Sequence, residues 1–298
     1  MISVVIPTYR NKDIFLKNLS HNLSFLKECE VIVVNDDPSK SLKNDVGKFS
    51  TIILVENKVN LGFGQSVNIG VKKAKYKYVM LLNNDVVLND ESYKFTLKHF
   101  NKDSLLFAVS FAQKEKNNLI VGKNRIYWRG GMLYHAKANN LTFGSNAWAE
   151  GGAAIIDKEK FLALRGFDSL YSPFYWEDID LSYRAYKRGW PVVFDPNIKV
   201  DHQHESTIGK YFEKPMVKTI AYRNQLIFIW KNITDWSLFL SHLFFLPYNL
   251  VYFLLKGEKE FYAGFFRAIK CLGKIIRQRK TATERFKVSD RHVLQLFS

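Results

Sequence analysis

The chain has 298 residues, of which 47% are hydrophobic and 15% aromatic, and it carries a formal charge of +16. That length suits one large α/β domain with a smaller appendage, and the aromatic excess implies apolar surface beyond the needs of a core. Two cysteines, Cys29 and Cys271, exclude a disulfide framework or a Cys-based metal site and fit a reducing cytosol, while the basic balance calls for an anionic partner: nucleic acid, a phosphorylated ligand or anionic lipid.

Taken in chain order, Met1 leads straight into a strand pattern, with no signal-peptide pattern expected. Ile2–Ile6 is a β-branched run that stops at Pro7 and reads as a buried strand. Residues 13–26 have apolar residues at helical spacing. Glu30–Val34 is a second strand, closed by Asn35-Asp36-Asp37-Pro38. Thr51–Val55 is a third, and residues 64–74 form a helix. Tyr78–Leu82 is a fourth strand, closed by Asn83-Asn84-Asp85. Alternating strands and helices predict a mostly parallel sheet with helices on both faces. Ligands of such sheets bind beyond the carboxyl ends of the strands, where these polar clusters lie.

Further on, residues 107–111 and 148–156 read as strands, 125–133 as the approach to a hairpin, 158–164 and 178–187 as helices, and 192–194 as a strand. Beyond Glu205 only helices are expected, so a boundary is placed there: a catalytic domain over 1–205 and a helical, basic region over 206–298. Residues 256–298 hold eleven Lys/Arg against four Asp/Glu. Trp236–Leu255 is free of charge and long enough to cross a bilayer. Pro247 in its middle predicts instead two short helices lying in the membrane interface. Residues 261–276 predict one basic amphipathic helix, with Phe261, Phe265, Phe266, Ile269, Leu272 and Ile276 on its apolar face. Packing of that helix on the catalytic domain is the alternative.

Three acidic sites carry chemistry. Asp85, at a strand's carboxyl end, is suited to a divalent ion on a diphosphate, which needs only one or two protein carboxylates; an Asx turn or helix cap is the simpler explanation of the residue taken alone. Glu177, Asp178 and Asp180 repel one another. Asp180 has an ion-pair partner in Arg184 at i, i+4, and Glu177 is favoured at a helix N-terminus. Asp178 has no evident partner. Phe174, Tyr175 and Trp176 are suited either to stacking on a sugar or to the core. His202 and His204, in Asp201-His202-Gln203-His204-Glu205, are candidate metal ligands.

ISVVIPTYRN, EVIVVNDDPS, NLGFGQSVNIGVKKAK, YVMLLNNDVVL, GGAAIIDKEKF, GFDSLYSPFYWEDIDLSYRAYKRGW and His202 occur in that order. The series resembles the family-2 inverting glycosyltransferases of GT-A fold, in particular their rhamnosyltransferase-like and galactofuranosyltransferase-like branch. The resemblance spans about residues 1–205. It implies that Pro7, Thr8, Tyr9 and Asp36 meet the nucleoside, with Asn35 and Asp37 as alternatives to Asp36. It also implies that Asn60, Gly62, Asn68, Asn83 and Asn84 line the nucleotide and donor pocket, and that Gly151, Gly152 and Trp176 border donor and acceptor. Asp178, beside Glu177, would take the acceptor proton. Asp85 would hold Mn²⁺ or Mg²⁺, and because Asn83 replaces a usual carboxylate, His202 becomes a needed second ligand.

The expected activity is transfer of a sugar, with rhamnosyl and galactofuranosyl as the candidates the resemblance implies, from a nucleoside-diphosphate donor to a saccharide or lipid-linked acceptor in bacterial surface polysaccharide synthesis. The expected location is the cytoplasmic side of the cell membrane. A dinucleotide oxidoreductase is disfavoured because the first strand is followed by Pro7-Thr8-Tyr9-Arg10-Asn11 without glycine. Nucleic-acid binding, or a catalytically weak sugar-nucleotide binder, is the alternative; basic residues interleaved with Phe and Leu at the C-terminus suit lipid better than nucleic acid.

Overall fold

The computed structural model describes residues 1–116, 118–202 and 212–297. The first half follows strand–helix alternation: β1 (Ile2–Thr8), α1 (Lys12–Asn22), β2 (Glu30–Asn35), α2 (Lys43–Val46), β3 (Ile52–Glu56), α3 (Phe63–Lys73) and β4 (Tyr78–Leu82). Next come β5 (Val86–Leu88), α4 (Thr96–Lys102), β6 (Ala108–Glu115), β7 (Ile120–Val121), the hairpin strands β8 (Asn124–Arg129) and β9 (Met132–Lys137), β10 (Gly144–Ser145), β11 (Ala153–Asp157), α5 (Lys158–Ala163), α6 (Glu177–Tyr186) and β12 (Val192–His202). Helices α7 (Lys214–Asn232), α8 (Trp236–Leu255), α9 (Lys259–Lys270), α10 (Leu272–Thr283) and α11 (Asp290–Gln295) complete the chain.

The main sheet runs β10-β12-β6-β11-β4-β1-β2-β3, with β5 on β12 and β7 on β6. It is parallel from β3 to β4 and mixed beyond, because β11 runs antiparallel to both β4 and β6. β1 is buried on both faces, as central parallel strands are. Val5, Ile32 and Val34 face one apolar layer with α3, while Val4, Ile6 and Val33 face the other with α1. Helix α3 lies directly on the sheet because of Gly70, where a Cβ would sit 2.4 Å from Val5 Cγ1.

Helix α1 ends at Asn22, earlier than the spacing predicts, because the Asn22 side chain pairs with the backbone of β5, donating to Val86 O (2.9 Å) and accepting from Leu88 N (2.9 Å). β12 is far longer than the expected 192–194. Pro196 and Asn197 form an irregularity between Asp195 and Lys199, after which pairing with β6 resumes. The strand expected over 148–156 begins only at Ala153, after the Gly151-Gly152 turn.

The boundary expected at 205/206 falls in residues 203–211, outside the described residues, as do His204 and Glu205. The helices beyond it share a core with the sheet: Leu226, Ile227, Phe228, Phe261 and Val293 belong to the same apolar cluster as Val5 and Phe167. Buried ion pairs cross as well. Lys231 meets Asp168 (2.6 Å) and Asp180 (2.8 Å), and Asp290 meets Lys187 (2.7 Å).

Two C-terminal expectations are corrected. Residues 236–255 form one helix, not two. Pro247 is on its exposed face and forfeits one helical bond. Docking on either side of it offsets that loss: His242 Nδ1 meets Gly131 O (2.7 Å), and Asn249 Nδ2 donates to Gly130 O (2.9 Å), both at the β8–β9 turn. The amphipathic stretch 261–276 is broken at Cys271 into α9 and α10. Phe261 and Ala268 pack inward, and Gly264 lets α9 approach α7 so closely that a Cβ would lie 2.8 Å from Thr219 O. Phe266, Ile269, Leu272 and Ile276 remain exposed.

Candidate active site

The carboxyl ends of β1, β2 and β4 meet, as expected of such a sheet. Pro7 sits near the end of β1, past the last residue paired with β4, where its missing N–H costs least. Thr8 Oγ1 accepts from Asn84 Nδ2 (3.1 Å), joining the ends of β1 and β4. Between the ends of β1 and β2 lies a cavity of about 370 Å³, lined by Thr8, Arg10, Lys12, Asn35, Asp37 and Lys40 among others. Tyr9 packs beneath the guanidinium of Arg10, 5.0 Å from the ring centre.

Asp36 and Asp37 divide the work at the end of β2. The Asp36 carboxylate is buried and turned into the 57–62 loop, accepting from Asn57 Nδ2 (2.8 Å), Leu61 N (2.9 Å) and Gly62 N (2.8 Å). It shapes the loop that starts α3. Asp37, the alternative raised from the sequence, lines the cavity and uses Oδ1 to accept from Ser39 N (3.0 Å) and Oγ (2.6 Å). Asn60 is exposed and accepts from Gly62 N (3.1 Å), and Gly62 holds a left-handed φ of 81° before α3. Asn68 does not face the cavity: its side chain bridges to Phe167, donating to the carbonyl (2.8 Å) and accepting from the N–H (2.9 Å).

At the end of β4, Asp85 faces His202. Antiparallel pairing of β5 with β12 sets His202 opposite Val86, so His202 Nε2 lies 3.3 Å from Asp85 Oδ1. That oxygen is buried without a hydrogen-bond partner, an arrangement that suits a cation shared between a carboxylate and a neutral imidazole. Among the described residues no group of three or more such ligands converges, so diphosphate and water would fill the rest of an Mn²⁺ or Mg²⁺ shell.

The Gly151-Gly152 turn connects this strand end to α6. A Cβ on Gly152 would lie 2.4 Å from Asn83 Nδ2, so the glycine leaves room for Asn83, and Asn83 N donates to Gly152 O (2.9 Å). Gly151 N in turn donates to Asp178 Oδ2 (3.2 Å). Burial pushes the Asp178 carboxyl up to about 6, against the Gly151 bond and with help from the nearby charge of Glu150. Burial and then Asp178 push Glu177 well above the usual carboxylate range, and its Oε2 is buried without a partner. Asp180 is different. It pairs with Arg184 (2.7 Å) and Lys231 (2.8 Å) and accepts from Tyr171 and Asn232 (2.8 Å each); Arg184 and Lys231 hold it far below the usual range in spite of burial.

The aromatic run before α6 separates by exposure. Trp176 is buried, 5% exposed, against Phe228 and edge-on to His135, so it belongs to the core rather than to a sugar platform. Phe174 is buried too, while Tyr175 is 42% exposed. Tyr175 and Trp176 both hold positive φ (69° and 74°), rare for bulky residues. Asn224 on α7, fully buried, holds the segment by donating to the carbonyls of Tyr171 (3.0 Å), Phe174 (3.0 Å) and Tyr175 (2.8 Å). Nothing in the sequence marks His135 or Asn224, the latter standing between Arg223 and Gln225 in a polar triplet.

The match to known proteins agrees with this geometry. Residues 3–164, more than half the chain, match the model of the family described as Glycosyl transferase family 2, and the chain belongs to that family. It is 24% identical over 200 residues to the poly-beta-1,6-N-acetyl-D-glucosamine synthase of Staphylococcus aureus, covering 65% of this chain and 48% of that protein, and 26% identical to its Staphylococcus epidermidis counterpart over the same shares. The chain thus spans about half the length of these curated relatives. Among solved structures it resembles S. aureus TarS 1-349 with UDP-GlcNAc (TM-score 0.60, 14% identity, 99% of this chain and 90% of that one). It also resembles GalNAc-T7 with UDP, GalNAc and Mn²⁺ (0.61, 15%, 79% and 48%). A third is the mannosyltransferase PcManGT of Pyrobaculum calidifontis with GDP-Man and Mn²⁺ (0.55, 13%, 99% and 85%). These likenesses establish the fold.

Proposed function

We propose that the chain is an inverting glycosyltransferase that moves a sugar from a nucleoside-diphosphate donor to a saccharide or lipid-linked acceptor in bacterial surface polysaccharide synthesis. The observation that carries this reading is Asp178: a carboxyl raised to about 6, held by the Gly151 N–H, one residue from the glycine on which Asn83 packs. A base of that strength is half ionised near pH 6 and matched to removing a hydroxyl proton as attack proceeds, worth typically ~10²–10⁴ in rate. One displacement opposite the leaving group inverts the anomeric centre. Burial and the neighbouring Asp178 push Glu177 well above the usual carboxylate range, which disfavours a second negative charge beside Asp178. Asp37, with Thr8 and Tyr9, is assigned to the nucleoside, and Arg10, Lys12 and Lys40 supply positive charge at the same cavity. A divalent ion, Mn²⁺ or Mg²⁺, would be held by Asp85 and His202 and would stabilise the departing diphosphate as a Lewis acid.

The same reading places the enzyme on the inner face of the cell membrane. α8 is long and apolar enough to cross a bilayer, yet His242 and Asn249 tie it to the β8–β9 turn along its length. Its outer face exposes Trp236, Phe244, Tyr248 and Leu255 at 62–83%, continued by Phe266 and Ile276 at 58% and 63%. A helix docked along one stripe and apolar along the other suits lying in the interface, with Arg267, Lys270, Lys274 and Arg277 close in sequence for anionic headgroups.

The names of the relatives reported above carry N-acetylhexosamines and mannose, which favours such donors over the rhamnosyl or galactofuranosyl transfer suggested by the sequence motifs. A thermal-shift screen of nucleotide-sugars of all these kinds with Mn²⁺ tests the reading. Binding stabilises by mass action, so one donor should raise Tm well above the rest. A flat response across the panel would reject it.

A further inference from the structure

A second cavity of about 270 Å³ lies away from the strand ends, where one side of α3 (Gln65, Asn68 and Lys72), the 164–169 loop, the end of α6 and α10 meet. Five cations line it, Lys72, Arg165, Arg184, Arg188 and Lys231, against one carboxylate, Asp168. Two of the five have structural duties. Arg184 pairs with Asp180 and donates to Leu164 O (2.6 Å) and Gly166 O (2.9 Å). Lys231 is held by Asp168 and Asp180. Lys72 and Arg165 have no carboxylate partner among the described residues, and both are exposed.

Arg188 is the most telling member. Its Nη1 donates to Ala163 O (3.1 Å) and its guanidinium packs on Trp190, but its Nε is buried with no acceptor. Burial and the like charges of Arg285, Arg184 and Arg165 hold its pKa below the usual arginine value. Cations crowded in this way repel one another, by an amount that grows as water is excluded. Structural pairing accounts for Arg184 and Lys231; it does not account for gathering Lys72, Arg165 and Arg188 around the same opening. Guanidinium forks match phosphate oxygens in pairs, which makes arginine the residue suited to such anions.

We propose that this cavity is a second anion site that takes a phosphate-bearing ligand through Lys72, Arg165 and Arg188, separate from the site at the strand ends. Its volume fits a pyrophosphate-sized group. Gln65, Gln278 and Thr281 complete a polar lining suited to the remaining oxygens. One wall is the end of α6, the helix that carries Asp178.

Calorimetry with inorganic pyrophosphate, without divalent ions, tests the proposal on the full chain. Wild type and Asp85→Ala should each bind one pyrophosphate with similar affinity. Lys72→Gln/Arg165→Gln, two exposed positions whose melting curve checks the fold, should bind about tenfold more weakly or worse. No binding by wild type, equal binding by the double variant, or loss of binding in Asp85→Ala would each overturn it. Adding phosphatidylglycerol vesicles identifies the source. Displacement of pyrophosphate points to a lipid headgroup and its persistence to a soluble phosphate, and either result upholds the anion site.

Discussion

Replacing Asn224 by alanine removes a buried side chain that holds the turn before α6. Its Nδ2 has two hydrogens and serves three carbonyls, those of Tyr171, Phe174 and Tyr175. Two hydrogen bonds' worth of buried acceptors are therefore left unpaired, at about 1–3 kcal/mol each. Positive φ at Tyr175 and Trp176 stores about 1–3 kcal/mol per residue, and partial relaxation of the turn recovers a part of this, which offsets some of the loss. The net stability loss should be about 2–4 kcal/mol, a fall in Tm of roughly 5–15 °C. The relaxation also moves the start of α6, where Asp178 sits two residues beyond Trp176. A shift of about 1 Å in a catalytic group costs ~10² in rate. Turnover of a nucleotide-sugar should therefore fall about a hundredfold at a temperature where the variant is still folded, with donor Kd unchanged because the donor cavity lies at β1 and β2. Loss of Tm with wild-type kcat would reduce Asn224 to a purely structural residue and refute the positioning argument.

Other expectations follow from the same contacts. Because Asp178 must be ionised to act and titrates at about 6, kcat/KM should fall about tenfold per pH unit below pH 6; a profile flat down to pH 4.5 would exclude it as the base. Asp85→Ala should abolish the Mn²⁺-dependent part of nucleotide affinity in calorimetry, and equal affinity with and without Mn²⁺ in wild type would contradict the metal assignment. Changing Trp236, Phe244 and Leu255 to serine should weaken binding to anionic vesicles by about a hundredfold or more while barely altering Tm without lipid, since these side chains are 73%, 78% and 83% exposed. Unchanged vesicle binding would remove the membrane-facing role of α8.

The half of the fold from β1 to β4 was legible in the sequence because β1, β2 and β4 are almost wholly buried, apolar runs that end in polar clusters. The far half was not. Val86–Leu88 is too short to show a period, and Pro196 interrupts β12, so nothing local announced that His202 would pair opposite Val86. What the sequence shows of the candidate site is what lies at its own strand end: Thr8 closes β1, and Asn83, Asn84 and Asp85 follow β4. Asp36 and Asn68 escaped because their partners, the 57–62 loop and Phe167, lie 21 to 99 positions away. Trp176 and Tyr175 look alike in sequence, and only the packing of α7 separates the buried ring from the exposed one. Pro247 predicted a break that docking against Gly130 and Gly131 overrides.

Asp178→Asn measures the central claim most directly, because it keeps the shape and removes the base. Burial makes the ionised carboxyl unfavourable in the fold. This group's contribution to stability is therefore fully present below about 3.9 and is lost as pH rises through about 6, so the variant should be more stable than wild type at pH 8 by up to about 3 kcal/mol. Glycosyl transfer from the donor found in the nucleotide-sugar screen should fall by at least about 10² while calorimetric donor affinity stays within about twofold. Transfer at the wild-type rate by a folded, donor-binding Asp178→Asn protein would contradict the account.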